Sequence, residues 1–230
     1  MKRDTERVDR LQHALQEDKI DLLVCTRPMN VLMTSGYWPV VGTSMSLVTK
    51  DGRATLIVPE DEKELAEHSW ADEIRTFSTG SLKKLNSVVE AIREPLEQSI
   101  SALRLDHGSV VASEYPAYTE PAPYVATYIH GLAFFELLRE AARSCAVVPA
   151  LDTLQKLRLV LTKDELSRLR ISCSVAAEAF EIGRNSLRPG IYETEAAQAF
   201  RGPPQRVWHF SRFSAACGRT HFLYVWSKWF

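Results

Sequence analysis

Apolar residues at Val8, Leu11 and Leu15 recur at helical spacing with charges between them, which predicts an amphipathic helix near the amino end. The run DLLVC (21–25) is short and wholly apolar, as a buried strand is, and Arg27-Pro28 ends it. The clearest local signal is SMSLVTKDGRATLIVP: two apolar runs flank Lys50-Asp51-Gly52, and Asp-Gly favours the positive φ of a tight hairpin turn. Pro59 closes the second of these strands. EDEKELAEHSW then reads as a helix and EIRTF as a strand. LKKLNSVVEAIREPLEQ reads as a further helix, with Leu82, Leu85, Val88, Val89 and Ile92 on one face. SALRLDH and SVVAS read as strands.

Residues 115–130 are rich in Tyr and Pro and predict a loop. GLAFFELLREAARSC predicts a helix, and AVVPALDTLQKLRLVLT a connector containing a short one. The strongest helix follows. Thr162 and Glu165 form a capping box, in which hydroxyl and carboxylate satisfy free backbone N–H groups at the helix start. Leu166, Leu169, Cys173, Ala176 and Phe180 lie along one face, and Arg188-Pro189-Gly190 breaks the helix. YETEAAQAF starts another, its early acids suited to the positive end of the helix dipole. The alternation of helices, strands and one hairpin implies an α/β fold, a mixed sheet with helices on its faces. The predicted organisation is a mixed-sheet domain over residues 1–150, a helical segment over 151–202, and an aberrant tail over 203–230.

Composition narrows the function. A formal charge of -1, without a basic stripe, gives no reason to invoke nucleic acid or anionic lipid. No stretch approaches the ~18 apolar residues of a membrane span. The amino end, MKRDTERVDRLQHALQEDK, is too charged for a signal peptide. Cys25, Cys145, Cys173 and Cys217 are widely spaced, as reduced thiols of a cytoplasmic protein are.

Each candidate chemical group has a plainer alternative. His209, Cys217 and His221 contain a Cys-x-x-x-His half-site for zinc, but no fourth ligand stands at a sensible spacing, and incidental residues are the better reading. GTSMS (42–46) lacks the spacing of a nucleophile elbow and suits the start of a strand. Neither G-x-x-x-x-G-K nor G-x-G-x-x-G occurs. Asp106-His107 is a pair of acid–base type at a strand end, without a second partner, and reads as a solvated turn. Tyr115, Tyr118, Tyr124 and Tyr128 form an aromatic patch fit for a substrate mouth, an oligomer contact or simple loop packing. Glu193 and Glu195 are better explained as helix-start acids than as metal ligands.

Taken in order, these pieces resemble one family. NVLMTSGYWP followed by the hairpin is similar to the amino-terminal domain of the creatinase, prolidase and aminopeptidase P family. Residues 159–200 resemble the first two helices of that family's catalytic domain. Lys163, Glu165 and Leu166 approximate its Lys-x-x-x-Glu helix start at a tighter spacing, and Pro189-Gly190 matches its break. Tyr192 stands where Thr is usual, before Glu193 and Glu195. The resemblance covers roughly residues 5–202 and implies a pita-bread catalytic fold, in which two Asp, one His and two Glu hold two divalent metal ions such as manganese or cobalt. Those ligands lie beyond the opening helices. Here Glu195 is the last acid, and the 28 residues after Gly202 contain no Asp or Glu. No catalytic, cofactor-binding or metal-binding residue is therefore carried over, and no cofactor is expected on this chain.

The final 35 residues hold three Trp and five Arg or Lys, with aromatic spacing that matches neither a helix nor a sustained strand. One reading is translation out of frame. Read one nucleotide later, HFLYVWSKWF can encode a Met-Ser-Gly-x-Asn segment like that of bacterial family members. The other is a genuine tail in which FLYVW forms a strand. Without a sheet to pack on, the two opening helices are expected to fold back, dimerise or stay mobile. The expected function is a fragment of an Xaa-Pro peptidase or creatinase-type hydrolase, inactive alone. The alternative is a non-catalytic binding or oligomerisation module, a homo-oligomer built through the amino-terminal domain or the exposed helices.

Overall fold

The computed structural model describes residues 3–40, 43–78, 80–81, 84–114 and 131–201. The chain divides into two compact units, Met1–Val160 and Leu161–Phe230.

The first unit runs α1 (Thr5–Glu17), β1 (Leu22–Cys25), α2 (Pro28–Ser35), β2 (Met45–Thr49), β3 (Ala54–Pro59), a 3-10 turn (Glu60–Glu62), α3 (Lys63–Ala66) and β4 (Glu73–Phe77). It continues through a two-residue pair, β5 (Gly80–Ser81) and β6 (Lys84–Leu85), to α4 (Val88–Ala102), β7 (Val110–Ser113), α5 (Leu132–Ala141), β8 (Ala146–Pro149) and α6 (Leu151–Leu159). Six strands form one sheet in the order β4-β3-β2-β1-β7-β8. β2 is antiparallel to both of its neighbours, and the remaining pairs are parallel. The fold is thus α/β with a mixed sheet, as the alternation of elements implies.

The strands separate two cores by their period-2 alternation. In β1, Leu23 and Cys25 face a core shared with Leu11 and Leu15 of α1, Val31 of α2 and Leu154 and Leu157 of α6. Leu22 and Val24 face the opposite core, with Ile92, Leu96 and Ile100 of α4 and Phe134, Leu137 and Leu138 of α5. A strand covered on both faces must be apolar throughout, which is why DLLVC shows no alternation. The hairpin turns as its sequence requires. Thr49 N donates to Arg53 O at 3.0 Å around a three-residue loop, and Gly52 takes φ 78°. A Cβ there would also press on Gln12 and Val8 of α1.

Arg7 is the longest buried side chain of α1. Its guanidinium donates to the carbonyl oxygens of Leu157 (2.7 Å) and Val160 (3.2 Å), and Arg10 donates to Val160 O at 2.8 Å. Cations at the carbonyl end of α6 satisfy acceptors the helix leaves open, so α1 and α6 close the unit's two ends on each other.

Four elements differ from the sequence reading. Arg27-Pro28 ends β1 and also begins α2, because proline at the first helical position lacks only an N–H that would be unpaired there. The helix read over 82–98 begins instead at Val88. Leu85 belongs to β6, and α4 runs on through Pro95 to Ala102. Residues 101–107 are accordingly the end of α4 and a turn, not a strand. Ala146–Pro149, read as connector, is the edge strand β8. The loop expected over 115–130 lies outside the described residues.

The second unit contains α7 (Lys163–Ser186) and α8 (Glu193–Arg201). The capping box is present in full: Glu165 N donates to Thr162 Oγ1 at 3.2 Å, and Thr162 N to Glu165 Oε2 at 2.9 Å. Gly190, with φ 87°, reverses the chain, and α8 packs against α7. Ala179 and Gly183 are the buried residues of α7. The apolar face predicted for it stays open: Leu166 is 37% exposed, Leu169 40% and Phe180 50%.

Candidate functional site

In open α/β sheets, chemistry gathers at the carboxyl ends of parallel strands. Here that position is held by Glu114, the residue after β7, beside Thr26 and Arg27, which follow β1. The carboxylate of Glu114 is buried. It accepts hydrogen bonds from Thr26 N (2.9 Å), Thr26 Oγ1 (2.8 Å), Arg27 N (3.1 Å) and Asn30 Nδ2 (2.6 Å). The sequence explains why the carboxylate is needed. Arg27, the residue capping α2, offers no side-chain oxygen to the free N–H groups of the first turn. Glu114 supplies the cap from a distant strand, and the positive end of the helix stabilises its charge. It joins two parallel strands and a helix start.

A second buried carboxylate, Glu62, closes the other end of α2. It accepts from the Tyr37 hydroxyl, from Val40 N at 3.2 Å and from Ser44 Oγ at 3.3 Å. Burial, and then the bond to Glu62, hold the Tyr37 phenol well above its ordinary range, so it stays a neutral donor. Cys25, the last residue of β1, is fully buried. Burial first, and the nearby Glu114 charge second, push its thiol far up. A thiol so placed is an inert packing group rather than a nucleophile.

Asp106 and His107 are both exposed, in the turn between α4 and β7. Asp106 N donates to Ser109 Oγ at 3.0 Å, and Ser109 N returns a bond to Asp106 O at 2.9 Å. These are the bonds of a turn. Ser44 and Ser46, from the Ser-rich stretch, are buried: Ser46 Oγ lies 2.5 Å from Thr34 Oγ1, and Ser44 serves Glu62. Glu193 and Glu195 occupy the first turn of α8, where Glu195 accepts from Tyr192 N at 3.2 Å. Tyr115, Tyr118, Tyr124 and Tyr128 lie outside the described residues, as do His209, Cys217 and His221.

The residues that the sequence reading missed are Glu114, Glu62, Asn30 and Tyr37. A signal existed for the first: a single acid directly after the apolar run SVVAS, at a strand's carboxyl end. Nothing local names its partners, because Thr26 lies 88 residues away.

The two-metal centre implied by the family resemblance does not fit the described side chains. The buried carboxylates among them are Asp4, Glu62 and Glu114. Asp4 caps α1 through Arg7 N at 3.0 Å, and the other two accept from neutral N–H and O–H groups. Among the described residues no three His, Cys, Asp or Glu gather closely enough to hold a cation. The acids of this unit secure loops and helix ends.

A mixed sheet with a core on each face defines a domain of the α/β class. Comparison with known proteins makes this specific: the profile of the family described as Creatinase/Prolidase N-terminal domain matches residues 7–160, and the chain belongs to that family. Solved structures share the fold. A prolidase from Pyrococcus horikoshii is 23% identical, with a TM-score of 0.55, covering 85% of this chain and 47% of its own. An Xaa-Pro dipeptidase from Bacillus anthracis is 21% identical with a TM-score of 0.57, at the same coverages. An X-Pro aminopeptidase from Thermotoga maritima is 16% identical with a TM-score of 0.62, covering 84% of this chain and 47% of its own. The chain spans about half the length of these structures. A search of the curated proteins found no match.

Proposed function

We propose that this chain is the amino-terminal scaffold portion of a metal-dependent hydrolase of the prolidase and aminopeptidase P class, and that by itself it carries out no hydrolysis. The carrying observation is the engagement of its buried acids. Asp4, Glu62 and Glu114 each hold a helix end or loop, and none is left to bind a cation. Two hard divalent ions require several carboxylate oxygens directed at one point. After Glu195 the sequence supplies none. The solved structures named for X-Pro substrates support the class, and the substrate of the parent follows only by that likeness. Cys25, Cys145 and Cys173 are free thiols, which suits a reducing compartment, and we place the chain in the cytoplasm.

The test is an Xaa-Pro dipeptide assay on the 230-residue chain with added manganese or cobalt. The expected result is no turnover above buffer and no metal retained after desalting. Turnover together with stoichiometric retained metal overturns the reading.

A second reading is favoured by one observation, the exposed apolar face of α7. On it, the chain is a non-catalytic module whose role is self-association, with neither nucleic acid nor membrane as partner. Among the described residues no helix is long and apolar enough to cross a membrane.

A further inference from the structure

We propose that α7 is the seat of a two-fold contact between two copies of this chain, centred on Cys173 and paired antiparallel. The proposal deepens the self-association reading and is independent of the hydrolase reading.

It starts from the open stripe of α7. Leu166, Leu169, Cys173, Ala176, Ala177 and Phe180 fall within about a third of the helix circumference, over a length of about 21 Å. Leu166, Leu169, Cys173 and Phe180 are exposed. They keep this exposure although α8 packs on α7, whose buried residues are Ala179 and Gly183.

The order of residues in the stripe fits a second copy of itself. With Cys173 on the two-fold axis, Leu166 lies opposite the partner's Phe180, and Leu169 opposite the partner's Ala177. Large side chains then meet small ones along the middle, and the two large ends close the contact. An isologous interface requires such self-complementarity. Ala176 lies opposite the aliphatic stem of the partner's Arg170, whose charged head reaches solvent.

The charges agree with the same register. Lys163 and Glu181 lie on one flank of the stripe, at the same angle around the helix. Antiparallel pairing places Lys163 within about 3 Å, along the axis, of the partner's Glu181, and the symmetry repeats the pair. A parallel two-fold pairing would set Lys163 and its copy at one height but on opposite flanks, away from either Glu181, and lose both pairs. Glu181 already accepts from Arg184 at 2.6 Å on the surface, a carboxylate with capacity for a second donor.

The test uses the full 230-residue chain with Cys145→Ser and Cys217→Ser, leaving Cys173 as the reactive thiol beside the fully buried Cys25. Light scattering should give twice the 26.0 kDa of one chain. Bismaleimidoethane, a short thiol-to-thiol linker, should trap the dimer, and Cys173→Ser should abolish trapping. Lys163→Glu should weaken the dimer about tenfold, and Lys163→Glu with Glu181→Lys should restore it. Lys163→Glu places an acid at the helix start, which favours the helix, so a dimer lost in that variant cannot be ascribed to a lost helix. Recovery in the double variant is what a merely structural role would not produce. A single-chain mass at the highest soluble concentration overturns the proposal. A dimer that is indifferent to Lys163→Glu and untrapped at Cys173 also overturns it, while leaving self-association through another surface standing.

Discussion

The two units of this chain use the same kind of amphipathic helix with opposite results. In α4 the apolar face of Ile92, Leu96 and Ile100 is buried against the sheet. In α7 an equally regular face, Leu166, Leu169 and Phe180, is half in solvent. The local sequence is not the difference, since α7 has the better cap and the greater length. The difference is the layer underneath. A helix stripe is stabilised by what it packs on, and each large apolar side chain left in water forgoes about 1.5–3 kcal/mol. The first unit supplies both faces of its sheet from its own helices and ties its ends with Arg7 and Glu114. Among its described residues, the second has the helix pair α7 and α8 and no strand.

This contrast can be pressed first at Glu114. Replacing it with Ala orphans Thr26 N, Arg27 N and Asn30 Nδ2 inside the protein. The expected loss is on the order of 4 kcal/mol, summing donors at about 1–3 kcal/mol each, read as a drop in urea midpoint at unchanged slope. A loss below about 1 kcal/mol would show that water replaces the carboxylate.

The next comparison sets one leucine against another. Leu96→Ala should cost about 3 kcal/mol, because Leu96 is 0% exposed and its cavity has little room to collapse. Leu169→Ala in dilute protein should stay within about 0.5 kcal/mol, as surface substitutions do. Equal effects at the two sites would mean that α7 is covered in solution by something from the same chain.

The smallest effect concerns acid. Lys50 Nζ lies 2.7 Å from Asp21 Oδ1, and Val110 N donates to Asp21 Oδ2 at 2.9 Å. The Lys50 bond first, and the backbone bond second, hold the Asp21 carboxyl below its ordinary value. A depressed carboxyl contributes stability that is present above its unfolded value of about 3.9 and is lost as pH falls through the lower folded one. The melting temperatures of the wild type and Asp21→Asn should therefore converge as the solution is acidified below about pH 4. A constant gap between them would assign the difference to the shape of the side chain.

Much of the fold could be read from the chain wherever the signal was local. Lys50-Asp51-Gly52 demands a turn, and Thr162 with Glu165 marks a helix start, because each bond involved spans only a few residues. The reading failed where a neighbour decides. Leu103 and Leu105 alternate as in a strand, yet 101–102 complete α4, whose face is fixed by the sheet it covers, and 103–104 turn out of it. Val147 and Val148 become β8 only because β7 lies beside them. Pro28 was read as a stop, although proline suits the first turn of a helix equally well. The site was less legible than the fold: Glu114, the acid that organises it, bonds to residues that no spacing rule connects.

Hydrogen exchange of the intact chain at two protein concentrations tests the contrast most directly. Amides of β1, β2 and β7 should be equally protected in dilute and concentrated solution, because the first unit completes its own core. Amides of α7 should exchange rapidly when dilute and slow as concentration rises. Protection of α7 equal to that of the sheet at the lowest concentration, or sheet amides exchanging as fast as α7, would contradict the account.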